Sequence, residues 1–252
     1  MMIKVKGERL KVKGGWRILL YALAFTFHLS PFTLHAQVGN LGKFDSRTLH
    51  YGIQIGMTQS KFDLALNENA ALRDTMQGVT SYYTPGFHIA VIGDLRLNDY
   101  LNLRLLPGVS IVSRNITYSW EHGYLVAHRL AEGERLAESV YGDMPLELKF
   151  RAKRYGNYRP YITGGVCYGF DFASLRRNRN RNNESIVRLQ ASDLRYTMGV
   201  GFDVFLRYVK FAVELKMNFG LLNLKVPDQD IYIRAMDEMR SRTFMLSFTF
   251  EG

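Results

Sequence analysis

A single cysteine, Cys167, is all the thiol chemistry that the 252 residues contain. This excludes an intramolecular disulfide, leaves no CxxC partner for redox work, and supplies no cysteine behind the N-terminal apolar stretch to carry a lipoprotein anchor. Beyond that stretch the sequence also lacks any run of the roughly 20 apolar residues that a membrane-spanning helix needs, which excludes a helical bundle. A β-barrel escapes the same test, because only alternate residues of its strands face lipid. Metal motifs are missing too. His122 and His128 with Glu121 and Glu132 do not have the spacing of one, and the group reads as a solvated loop.

What is present begins with an export signal. Lys4, Lys6, Arg9, Lys11, Lys13 and Arg17 precede an apolar run from Ile18 to Leu34, followed by His35, Ala36 and Gln37. Cleavage after Ala36 fits this layout; the length of the run keeps a single N-terminal membrane anchor as the alternative. The long basic region, and Leu34 where a small residue is preferred, leave open a start downstream of Met1. Cleavage removes six basic residues and Glu8, so the net charge falls from +10 to +5. The expected organisation is a signal peptide over 1–36, a short N-terminal periplasmic segment over 37–48, and a barrel domain over 49–252.

From Leu49 onward the chain repeatedly places apolar residues at every second position, the period of a strand with two different faces. Eight such stretches are expected, near 49–57, 86–97, 100–113, 143–153, 158–172, 194–204, 211–219 and 244–250. The fourth sets Met144, Leu146, Leu148 and Phe150 against Glu147, Lys149, Arg151 and Lys153, and the others follow the same plan. Short connections at Asn98-Asp99, Tyr155-Gly156-Asn157 and Arg207-Tyr208 alternate with long ones near 58–85, 114–142, 173–193 and 220–242. That rhythm of short periplasmic turns and longer external loops predicts an all-β fold: an antiparallel transmembrane up-and-down β-barrel of about eight strands, integral to the cell outer membrane. Tyr51, Tyr158, Tyr196, Phe172, Phe211 and Phe250 lie toward the ends of the apolar faces, as an aromatic girdle requires. The same strands also suit a soluble lipocalin-like barrel, with the apolar face turned inward around a ligand.

Three stretches add a family likeness: HYGIQIGM at 50–57, RPYITGGVCYGFDFAS at 159–174 and MRSRTFMLSFTFE at 239–251. In their order and spacing the chain resembles the PorT-like outer-membrane barrels of the Bacteroidetes type IX secretion system. The segment from Glu214-Leu215-Lys216 through Phe219-Gly220-Leu221 to Val226-Pro227-Asp228 extends the likeness. It implies an outer-membrane component of that machinery, needed for export of cargo proteins with C-terminal sorting domains, with other secretion components as partners. It implies neither catalytic residues nor a cofactor.

The polar faces gather Arg96, Arg104, Glu147, Lys149, Arg151, Arg195, Asp203, Glu214 and Lys216 inside a narrow space. A cross-braced network that fills the lumen is expected there, with a narrow channel as the alternative. The chain is read as a non-enzyme. An outer-membrane enzyme acting on lipid is the competing reading, with His50, His88, Asp94 and Ser110 as its candidate residues and no triad evident among them. Cys167 reads as a packed thiol. Arg176, Arg177, Arg179 and Arg181 belong to the third external loop; they are either a solvated charge run or a contact for lipopolysaccharide phosphates, and nucleic acid does not suit an exported chain. Asp228, Ile231, Ala235 and Met239 repeat at near-helical spacing behind Pro227, which predicts a short helix at the barrel rim.

Overall fold

The computed structural model describes residues 40–66, 76–120, 133–174, 189–226 and 236–252. A short 3-10 helix, Phe44–Ser46, precedes ten strands: β1 (Leu49–Leu66), β2 (Met76–Thr80), β3 (Thr84–Arg96), β4 (Leu101–Leu105), β5 (Gly108–Trp120), β6 (Gly133–Arg151), β7 (Tyr158–Asp171), β8 (Ser192–Phe205), β9 (Lys210–Gly220) and β10 (Met236–Glu251). The expected signal over 1–36 lies outside the described residues.

Ten strands amount to eight staves. Pro107 has no N–H to give the ladder, so β4 and β5 are separated there. The register nevertheless runs on unchanged: Gly93 faces Leu105 on one side of the break and Ala90 faces Gly108 on the other. In the same way β2 continues the stave of β3. Gly86 faces Val112, and five residues further along β5 Thr117 faces Thr80, six residues back, a one-residue irregularity.

Every neighbouring pair is antiparallel, and β1 pairs with both β10 and β3, so the hydrogen bonding closes on itself around the ring, while the short β2 beyond it pairs with β5 alone among the described residues. The stagger follows from the pairs. Tyr51 faces Gly93, then Leu105, Leu146, Val166, Tyr196, Phe219 and Arg242 in turn, and Arg242 faces Lys61, ten residues beyond the start. Ten residues of stagger, about 33 Å, over a circumference of about 38 Å tilts the strands by about 40°. An eight-stave barrel of this kind has an interior just wide enough for side chains to fill it.

The burial pattern decides which face looks in. Met57 (66% exposed), Val200 (57%) and Leu215 (57%) point outward, whereas Arg104 (0%), Glu214 (0%) and Lys149 (1%) are sealed inside. A lipocalin-like barrel requires the reverse, so that alternative falls. An apolar belt around a charged interior is stable only where hydrocarbon, not water, surrounds it.

β1, β6 and β10 have 18, 19 and 16 residues, more than the roughly 10 that cross a bilayer. They therefore project past the apolar belt on the long-loop side, and much of what reads as loop near 58–85, 114–142 and 220–242 is strand. The apolar alternation disappears there because Gln59, Lys61, Asp63, Arg240 and Arg242 occupy the outward positions once the strands leave the hydrocarbon. The helix expected behind Pro227 is corrected for its last residues. Met236–Met239 is strand, with Met239 facing Leu64 and buried, because pairing with β1 claims the segment. Asp228, Ile231 and Ala235 lie outside the described residues.

At the short-turn end, the residues before β1 fold back over the mouth. Phe44 is buried, its ring stacked on His50 at 4.0 Å and edge-on to Phe205 at 6.0 Å. His50 Nε2 donates to the Phe44 carbonyl at 2.8 Å.

Candidate functional site

The two-residue period of each strand, combined with the stagger, sends polar side chains from distant parts of the chain to one level of the lumen. Arg104 on β4 is the hub. It donates to Glu214 at 3.0 Å and stands within 4.0 Å of Asp94, Glu147 and Glu251. Lys216 pairs with Glu147 at 2.7 Å and with Glu214 at 2.8 Å. Tyr161 donates its hydroxyl proton to Glu214 at 2.7 Å. Both residues lie opposite Gly201 on the intervening strand, and a Cβ there would collide with the Tyr161 ring. Glycine at 201 therefore lets the phenol cross the strand. Nearer the short-turn end, Lys149 pairs with Asp203 at 2.8 Å and caps the Tyr161 ring at 3.6 Å, while Lys210 pairs with Glu251.

Toward the long-loop end Arg195 pairs with Asp143 and stands 3.6 Å from Asp193, which accepts from Ser241 at 2.7 Å. Arg114 donates to the Tyr141 hydroxyl at 3.0 Å and lies between the rings of Phe62 and Tyr141 at 5.2 and 5.1 Å. The buried ionic side chains come to eight cations and eight anions among the described residues, a balanced set. Burying charge without partners is costly, so such balance is what a packed core of this polarity requires.

The expected network is present: Arg104, Glu147, Lys149, Arg151, Arg195, Asp203, Glu214 and Lys216 are all buried inside. Arg96 differs. It is half-buried at the mouth, where its guanidinium reaches the Asp45 carbonyl and the Asp99 carboxylate. Arg114, Asp143, Asp193, Lys210 and Glu251 belong to the network and were missed, because they lie past the ends of the apolar runs. Extending the two-residue period would have found them: Arg114 lies four residues beyond Ser110, and Glu251 two beyond Thr249.

The enzyme candidates separate. His50 is under Phe44 at the mouth, and Asp94 accepts from Asn102 within the hub. His88 and Ser110 do meet, at 2.8 Å, with Asp143 beside them. The Ser110 hydroxyl gives its proton to Asp143, so His88 Nδ1 is the donor to Ser110. A nucleophilic serine needs the opposite order, giving its proton to the imidazole. Around these residues is a cavity of about 20 Å³, also lined by Cys167, Arg195 and Thr197, which is room for about one water molecule. Cys167 is buried as expected, 3.4 Å from an Arg195 nitrogen. Among the described residues no group of His, Cys, Asp and Glu is placed to hold a metal ion. Arg176, Arg177, Arg179, Arg181 and the His122–His128 loop lie outside the described residues.

Residues 35–226 match the family described as the outer membrane protein beta-barrel domain. The chain belongs to that family. This outer-membrane barrel is also similar to three solved structures. OprG from Pseudomonas aeruginosa is 16% identical over 81% of this chain and 94% of its own, with a TM-score of 0.42. The N-terminal barrel domain of Pseudomonas aeruginosa OprF is 11% identical over 80% and 97%, at 0.38. Ail of Yersinia pestis, solved with the heparin analogue sucrose octasulfate, is 12% identical over 82% and 100%, at 0.35. No curated protein gives a significant sequence match. The fold assignment stands on the family match and the strand pairings: the protein is an integral β-barrel of the outer membrane, its apolar belt in contact with lipid.

Proposed function

We propose that this outer-membrane barrel serves the type IX secretion pathway as a scaffold that binds partners, not as an enzyme or a conduit. The observation that carries the reading is the lumen. It is filled by a balanced set of buried charges, most of them in ion pairs with one another, so the barrel's working surfaces are its two ends and its belt. The pathway itself comes from the resemblance of 50–57, 159–174 and 239–251 to the PorT-like barrels. In this reading the external loops meet other secretion components, and Arg176, Arg177, Arg179 and Arg181 contact lipopolysaccharide phosphates. Deleting the gene tests it. Proteins with C-terminal sorting domains should accumulate in the periplasm, and the intact chain should restore their export. Unchanged export of the whole cargo class on deletion removes the pathway from this protein.

A further inference from the structure

The periplasmic mouth is unevenly charged. Asp45 is held there by three arginines: Arg159 at 2.7 Å, Arg154 at 3.4 Å and Arg151 at 3.8 Å. Lys43, Arg47, Lys153 and Arg207 are exposed on the surrounding rim. Against these cations the described residues of the mouth offer two acidic side chains, Asp45 and Asp99, and Asp99 is taken by Arg96. With Arg151 and Arg159 assigned to the mouth, the lumen behind holds six cations against eight anions, which offsets only part of the excess.

Arg151 also donates to the carbonyls of Asp99 and Asn98 at 3.1 Å, and Arg154 to those of Gly156 and Asn40, but Asp45 is the one carboxylate that they and Arg159 meet among the described residues. Arg151 is too far from Asp45 Oδ1 to hydrogen-bond, that oxygen has no hydrogen-bond partner, and neither does Nε of Arg159, a residue 95% buried by its 5% exposure. Three planar guanidinium forks thus share a single carboxylate, where each alone is suited to take one in two-pronged fashion. The carboxylate is supplied by a segment outside the barrel wall, held at the mouth by side chains: the Phe44 ring against Phe205, Asn40 donating to the Phe205 carbonyl at 3.1 Å, and His50 and Arg96 donating to the carbonyls of Phe44 and Asp45.

We propose that the periplasmic mouth is a docking site for an acidic protein segment, and that Asp45 holds the central arginine subsite in its place until the segment binds. Asp45 shows which group the subsite takes, a carboxylate. Arg151 and Arg159 occupy inward positions of β6 and β7 and Arg154 covers the Phe205 ring, away from the lipid belt, which favours a protein segment over a lipid headgroup. Bound, the segment would set its carboxylates on Arg151, Arg154 and Arg159 and its flanks on the rim cations, displacing residues 40–46. The proposal rests on the charge and geometry of the mouth and does not depend on the secretion reading.

The test uses the mature barrel in zwitterionic nanodiscs and a fluorescent twelve-residue peptide of Asp and Glu, with an Asn and Gln peptide as control. Asp45→Asn removes the competitor and should tighten acidic-peptide binding about tenfold, whereas Asp63→Asn, equal in charge but near the opposite end of β1, should change it far less. Arg154→Gln, on a half-buried turn residue, should weaken binding by about the same factor. Heat-dependent gel mobility shows that each variant is folded. Equal binding by the wild type, Asp45→Asn and Arg154→Gln, or no binding at all, overturns the proposal. So does a set of variants that alters binding of short-chain phosphatidylglycerol and leaves the peptide unaffected, since the mouth would then serve a lipid headgroup.

Discussion

Replacing Arg104 by Met tests whether the lumen is held by its charges or by its walls. The substitution roughly conserves length and removes one cation from a fully buried hub that faces Glu214, Glu147, Glu251 and Asp94. Lys216 would still serve Glu147 and Glu214, Lys210 would still serve Glu251, and Asn102 would still donate to Asp94. The interior is then left with one anion in excess. Breaking a buried pair by removing one partner costs about 3–5 kcal/mol, and the surviving lysine contacts place Arg104→Met toward the lower part of that range. Glu214→Gln alone leaves the opposite excess and weakens the acceptor for the Tyr161 hydroxyl, at a similar cost. The double variant restores the balance and should be destabilised by clearly less than the two single losses together. Urea unfolding in detergent micelles reads all three. A loss under about 1 kcal/mol for Arg104→Met, or strict additivity in the double variant, would refute the network as the source of stability.

Two further outcomes follow from single contacts. Gly201→Ala places a methyl group against the Tyr161 ring and should break its hydrogen bond to Glu214, costing about 1–3 kcal/mol by leaving a buried acceptor short of a partner; unchanged unfolding in urea would show that the phenol is free to move aside. Burial raises the pKa of Asp45, but Arg159, Arg151 and Arg154 outweigh it and hold the carboxyl below its ordinary value. A depressed acid contributes in full above its unfolded pKa, about 3.9, and loses its contribution as pH falls through the folded value. A spin label on Ser46→Cys should therefore stay immobile from pH 7 to about pH 4 and loosen below it, and Asp45→Asn should abolish that step. Loosening already between pH 6 and 7, or a step that survives in Asp45→Asn, would refute the carboxylate as its cause.

Much of the barrel is legible along the chain. The alternation of Met144, Leu146, Leu148 and Phe150 with Glu147, Lys149 and Arg151 separates the two faces of the strand correctly, because strand side chains alternate whatever the partner. The stave count is also legible, since turns such as Tyr155-Gly156-Asn157 carry their own chemistry, with Gly156 at φ 59°. Strand ends are less so. Lys61, Asp63, Arg240 and Arg242 look like loop because the apolar signal stops where the hydrocarbon stops, although the hydrogen-bond ladder continues. The segment over the short-turn mouth is silent in sequence: Phe44 and Asp45 fall in a stretch without periodicity, and their partners are Phe205 and Arg159, far along the chain.

The sequence by itself determined that each strand has one polar and one apolar face, because a two-residue period needs no knowledge of what lies across the sheet, and burial in the closed ring then put the polar face inside. Only the tertiary structure decided who pairs with whom inside it. Arg104 meets Glu214 across 110 residues, and Lys216 meets Glu147 across 69. Those meetings are set by the ten-residue stagger accumulated around eight staves. A change of two residues in that stagger would keep every face in place and exchange the ion-pair partners, so the quantity that chooses them belongs to the closed ring and to no single strand.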